Sequence, residues 1–205
     1  MPDLREQLGH CFQGHVCLMG IGNADLGDDG FGVKLADAIA ERLIRSGRAS
    51  CARNVINAGA EPERMIGYVA ERGFDHLVFL DAVEFGGEPG SVIFLDANAI
   101  ASRFPQISTH KVSLGLLAKC ITAGGGTCVW LLGVQPGSLR PVQGLSTAVQ
   151  KAKDILEEIF CDVWNDAGIK AAEARVDATM LDESRLPGRE EHEPLWALTP
   201  GFFHP

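Results

Sequence analysis

No run of about 18 apolar residues occurs in this 205-residue chain, so no membrane-spanning helix is expected. The opening stretch, MPDLREQLGH, is polar and lacks the apolar centre of an export signal, which points to the cytoplasm. Basic charge is scarce. Eighteen Lys and Arg face 27 Asp and Glu, a net −9, so neither nucleic acid nor an anionic membrane is an expected partner. The six cysteines include no C-x-x-C pair, and Cys17 and Cys128 fall inside apolar runs. Reduced, mostly buried thiols are expected, not a disulfide framework or a cysteine zinc site. His10, Cys11 and His15 are read as a loose end leading to the first strand, not as metal ligands. Missing too are a G-x-S-x-G elbow and an H-E-x-x-H pair; His192-Glu193 has no second histidine. A cysteine nucleophile needs an exposed thiol beside a base, which buried thiols do not offer.

What is present suits one α/β domain over residues 1–168, followed by an acidic, Pro-interrupted extension over 169–205. At 46% hydrophobic the chain has enough apolar side chain for a full core. Apolar runs predict strands at 15–21, 53–58, 76–81, 91–95 and 128–134. Helical periodicity predicts helices from about residue 29 to 43, 63–71, 111–123 and 146–167, with a helical turn at 96–102 and Ser146 as an N-cap. Residues 1–14 read as a flexible lead-in. The alternation predicts a three-layer sandwich with a twisted, mostly parallel sheet of about five strands and helices on both faces. The 83–90 connection is too short for a crossover helix. Strand 91–95 should therefore run antiparallel to 76–81, at or near a sheet edge. The extension is expected to be irregular or draped over the body, with Trp196, Phe202 and Phe203 near its end.

The stretch MGIGNADLGDDGFG, residues 19–32, joins the first strand to the first helix. A strand, a glycine-rich turn and a helix N-terminus form a ligand-binding place. The ligand is not a phosphate. Asp25 stands where a dinucleotide fingerprint needs glycine, and Asp28 and Asp29 stand where a P-loop needs Lys and Ser or Thr. Two carboxylates there suit a cation or a polar substrate. In an open α/β sheet, ligands bind beyond the carboxyl ends of the strands. Past those ends come Asn23, Asp28 and Asp29, then Asp81, then His110 in the loop before the fourth helix. Two carboxylates and an imidazole suit a borderline metal such as nickel or zinc. Each also has a plain structural use: Asp28 and Asp29 can cap the helix, and His110 can be an ordinary loop residue.

The segment GIGNADLGDDGFGVKLADAI resembles the N-terminal signature of the nickel-hydrogenase maturation endopeptidases. DHLVFLDAVEFGGEPGSVIFL and STHKVSLGLL extend the resemblance over roughly residues 15–160. It implies an endopeptidase that removes the C-terminal tail of a hydrogenase large-subunit precursor once nickel is in place. It also implies that Asp29, Asp81 and His110 occupy metal-binding positions, with Asp29 shorter-armed than the Glu found in many members. The nickel would be supplied by the substrate, with no tightly bound cofactor of the protease's own. A carboxylate, Asp29 or Asp28, would activate water. Gly20, Gly22 and Gly27, with Asn23 and Asp28, would meet the substrate backbone. Two other functions suit the same residues: a hydrolase or aminopeptidase carrying its own metal, and a non-enzymatic nickel chaperone.

Overall fold

The computed structural model describes residues 3–103, 113–141 and 143–167, with only the backbone described for 165–167. The 169–205 extension and His110 lie outside the described residues. Five strands form one sheet: β1 (Val16–Ile21), β2 (Val55–Gly59), β3 (His76–Ala82), β4 (Val92–Asp96) and β5 (Cys128–Val134), in the order β2-β1-β3-β5-β4. All neighbours are parallel except β4 against β5.

The helices are α1 (Leu4–Cys11), α2 (Phe31–Arg45), α3 (Ala49–Ala52), α4 (Ile66–Arg72), α5 (Ala97–Arg103), α6 (Leu114–Ala123) and α7 (Thr147–Ala167). Side chains alternate across a strand, so each central strand feeds two cores. Val16, Leu18, Val78, Leu80, Leu132 and Val134 pack with α1, α2, α3 and α7. Cys17, Met19, Leu77, Phe79, Val129 and Leu131 face the other way, into α4, α5 and α6. This is why β1 and β3 read as unbroken apolar runs: both their faces are covered.

Three expectations are corrected. Residues 4–11 are not a loose lead-in. Asp3 caps α1, its Oδ1 accepting the N–H groups of Arg5 at 2.5 Å and Glu6 at 3.4 Å. Leu8, Cys11 and Phe12 are buried, and the Phe12 ring lies 5.9 Å from Phe160 and 5.0 Å from Trp164 on α7. Burying a ring of that size contributes about 1.5–3 kcal/mol, enough to hold a short helix that propensity alone would not. The second expected helix is two pieces, a 3-10 turn (Pro62–Met65) and then α4, closed by Gly73 in the left-handed region at φ 60°. The helix expected from residue 111 starts at Leu114, where the Ser113 hydroxyl oxygen accepts the Leu116 N–H.

The strand at the antiparallel edge is β4, as expected, and it runs opposite to β3. Its hydrogen-bonded neighbour, however, is β5. β5 is buried along most of its length and takes the central place beside β3, while β4 is mostly half-buried and sits outside it.

Candidate active site

The carboxyl ends of β1, β3 and β5 are adjacent, and the loops leaving them carry the polar residues. Gly20 pairs with Leu80, so Asp81 stands one step further, level with Ile21. Beyond Ile21 the chain turns sharply. Gly22 takes φ 131°, and its N–H donates to the Gly59 carbonyl at 3.0 Å. The Asn23 side-chain oxygen accepts the Asp25 N–H at 3.0 Å, an Asx-turn. A 3-10 turn (Gly27–Gly30), entered with Gly27 at φ 57°, then leads into α2.

The turn packs tightly on the sheet end, and the glycines make that possible. A Cβ on Gly32 would lie 1.9 Å from the Leu80 carbonyl oxygen and 2.4 Å from that of Ile21. On Gly22 it would lie 1.8 Å from the Asp29 carbonyl oxygen, and on Gly20 2.4 Å from that of Gly32. The space that a Cβ would take at Gly20 and Gly22 is therefore filled by the protein's own helix and turn, and these glycines set the turn in place.

Asp28 and Asp29 are 1% and 2% exposed, and Asp81 is 3% exposed. Buried carboxylates need donors, and the three are served differently. Asp29 Oδ2 accepts the Asn23 N–H at 2.8 Å. Asp81 Oδ1 accepts the Ala82 N–H at 2.8 Å. Neither Asp28 nor Asp29 caps α2, whose N-cap is Gly30 without a side-chain bond. Asp28 instead reaches across the molecule. Its Oδ2 accepts from Gly137 N–H at 2.8 Å and Ser138 N–H at 3.1 Å, and its Oδ1 from Ser146 N–H at 2.6 Å. Its own N–H donates to the Ser138 carbonyl at 3.1 Å. Asp28 thus ties the loop after β5, and the start of α7, to the turn that carries Asp29. The Ser146 hydroxyl, expected to cap α7, has no hydrogen-bond partner; the Asp28 carboxylate serves the Ser146 N–H instead.

Asp29 and Asp81 accordingly stand at the same end of two neighbouring strands, on a turn and a strand that touch. Among the described residues no group of three or more His, Cys, Asp or Glu is arranged to hold a metal. The third residue of the expected set, His110, is outside them.

Residues 33–163, well over half the chain, match the family model for hydrogenase maturation proteases. The chain belongs to the hydrogenase maturation protease family. It is 30% identical over 146 residues to the Escherichia coli hydrogenase 3 maturation protease, covering 70% of this chain and 85% of that one. To the E. coli hydrogenase 2 maturation protease it is 28% identical over 160 residues, covering 76% and 94%. The crystal structure of the NiFe hydrogenase maturation protease HycI from Thermococcus kodakarensis superposes with a TM-score of 0.65 at 30% identity, over 78% of this chain and 99% of that one.

This maturation protease is an endopeptidase, and its buried thiols suit cysteine catalysis poorly. Burial pushes the Cys11 and Cys17 thiols up to about 12 and raises Cys161 as well. Cys128 is exposed, but it opens β5 beside His76, at the end of the sheet opposite Asp81 and its partner Gly133. The protease has one more buried polar residue at the site end, Gln135, directly after β5. The sequence reading passed over it. The rule that found Asp81, a polar residue abutting the carboxyl end of an apolar strand, applies equally to VWLLGVQ and would have found it.

Proposed function

We propose that this protease removes the C-terminal extension of a nickel-hydrogenase large-subunit precursor after nickel insertion, and that it recognises the nickel held by that substrate. The observation that carries the reading is the pair of buried carboxylates, Asp29 and Asp81, at the ends of adjacent parallel strands in a maturation-protease fold. Two carboxylates, joined by the His110 imidazole, offer oxygen and nitrogen to a borderline cation while leaving its other positions to the substrate. Binding the nickel would fix the scissile peptide against the protease, so that positioning supplies much of the catalysis. Asp29 would take a proton from the attacking water, and the departing amine would gain one as the peptide bond breaks. Asp28 is a poorer choice of base, since both its oxygens already accept backbone N–H groups. Six free cysteines fit a reducing, cytoplasmic setting for this step.

The test is intact-mass spectrometry of a nickel-loaded large-subunit precursor before and after incubation with the purified protease. The mass should fall by that of one C-terminal peptide. Asp29→Asn keeps the shape and removes the charge, and His110→Ala removes the imidazole; each should abolish processing. An unchanged precursor mass with the wild-type protease would refute the reading and favour a binding role. Full activity in both variants would refute the assignment of the site.

A further inference from the structure

We propose that Gln135 is a positioning residue of this protease: its amide oxygen holds the loop between β3 and β4 in the conformation that keeps Asp81 and the rim of the site in place against the substrate chain. The proposal rests on the reading of Asp81 given above and extends it to a residue that touches no reacting group.

The 83–90 loop leaves β3 immediately after Asp81 and Ala82, and it has little regular structure of its own. Gly86 and Gly90 take φ 80° and 85°. Its Glu84 and Glu88 are exposed, and the Ser91 N–H closes on the Glu88 carbonyl at 2.9 Å. Val83 is buried and Phe85 packs against the core, but the backbone N–H groups of 85–87 need an acceptor of their own. That acceptor is one side chain. Gln135 Oε1 accepts the N–H groups of Phe85 at 2.9 Å, Gly86 at 3.0 Å and Gly87 at 3.1 Å. Three successive N–H groups converging on one point form a nest that demands an acceptor. The Gln135 backbone serves the other end of the loop, with its N–H on the Ser91 carbonyl at 2.8 Å and its carbonyl taking the Gly90 N–H at 2.9 Å.

Gln135 is 9% exposed, so water is a poor substitute for its oxygen. The last bond tying the loop to the sheet before this nest is Val83 N–H to the Val134 carbonyl at 2.9 Å. Between that bond and the nest lies only Glu84. Freeing the nest therefore frees the chain close to Asp81, and a small misplacement of a catalytic group is costly in rate. Gln135 sits next to Pro136 and Gly137, and the Gly137 N–H is held by Asp28. Gln135 thus pins the loop between β3 and β4, and Asp28 pins the loop that Gln135 opens.

The test compares wild type with Gln135→Met, which keeps the length of the side chain and removes the acceptor, and Gln135→Glu, which restores one. Gln135→Asn, whose oxygen falls short of the nest by one methylene, is the milder variant if Gln135→Met folds poorly. Two readouts are taken on the full chain: amide hydrogen exchange, and the rate of processing of a nickel-loaded precursor at saturating and limiting concentrations. Gln135→Met should speed exchange at residues 85–87 at least about tenfold, with β3 and β5 still protected. It should lower kcat by about ten- to a hundredfold with KM changed far less. Gln135→Glu should recover both protection and most of the rate. Unchanged exchange at 85–87 overturns the proposal, as does lost protection with kcat intact. If the wild-type protease does not cut the precursor at all, the proposed substrate is wrong, while the exchange comparison still decides whether Gln135 holds the loop.

Discussion

Replacing Asp28 by Asn tests the cross-link between the turn that carries Asp29 and the start of α7. The carboxylate is 1% exposed and accepts three backbone N–H groups, from Gly137, Ser138 and Ser146. Hydrogen bonds to a charged group each contribute about 1.5–3 kcal/mol net, against about 1 for a neutral pair. In Asn one oxygen remains and the other becomes an NH2 that cannot accept. With the oxygen facing Gly137 and Ser138, two bonds weaken by about 0.5–2 kcal/mol each. The Ser146 N–H then meets a second donor, and a buried unsatisfied group costs about 1–3 kcal/mol more. The total is about 2–7 kcal/mol, a large share of a stability of about 5–15 kcal/mol. With a urea slope of about 2 kcal/mol/M, the midpoint should fall by about 1 M or more, followed by tryptophan fluorescence. A fall under about 0.5 kcal/mol, with an unchanged slope, would refute the cross-link as drawn.

Three further outcomes are expected. Gly32→Ala places a methyl 1.9 Å from the Leu80 carbonyl oxygen, so it should cost about 3 kcal/mol or more or prevent soluble expression, whereas Gly67→Ala, with open space around it, should be neutral or slightly stabilising in urea unfolding. Alkylation with iodoacetamide at pH 8 should label Cys120 and Cys128 quickly and leave Cys11, Cys17, Cys51 and Cys161 until denaturant is added; early labelling of Cys17 would contradict its burial. Burial lowers the His76 pKa below 6.5, against a smaller opposing pull from Asp75, and its Nδ1 accepts the Trp130 indole N–H at 3.1 Å. The unfolded chain then binds this proton more readily, so the His76 contribution is fully present above pH 6.5 and is lost as pH falls through the lowered folded value. His76→Gln should flatten that part of the stability–pH curve, and a curve of unchanged shape would contradict the assignment.

Much of the fold was legible because its signals are local. The runs HVCLMGI, HLVFLD and CVWLLGV are apolar because both faces of β1, β3 and β5 are covered, and the amphipathic period of α2 and α7 follows from a single covered face. The insertion of β5 between β3 and β4 was not legible. Chain order puts 91–95 beside 76–81, and only the pairing preference of a distant strand, buried along most of its length, separates them. α1 was missed because its interior Gly9 and polar face hide a stripe of Leu8, Cys11 and Phe12 that has meaning only against Phe160 and Trp164. The positions of Asp29 and Asp81 at strand ends were readable from the motif and the sheet rule. The work of Asp28 was not, because its three partners lie 109, 110 and 118 residues away in the chain. Gly20 and Gly22 were visible as special, but their close approach to the protein's own helix and turn was not, because a sequence pattern marks a close approach without saying which chain approaches.

The most direct measurement of the central claim compares nickel-loaded with metal-free large-subunit precursor as substrates, using protease stripped with a chelator and desalted. Recognition of substrate nickel by Asp29, Asp81 and His110 predicts cleavage of the loaded precursor and none of the metal-free one. Equal rates on the two precursors would contradict it.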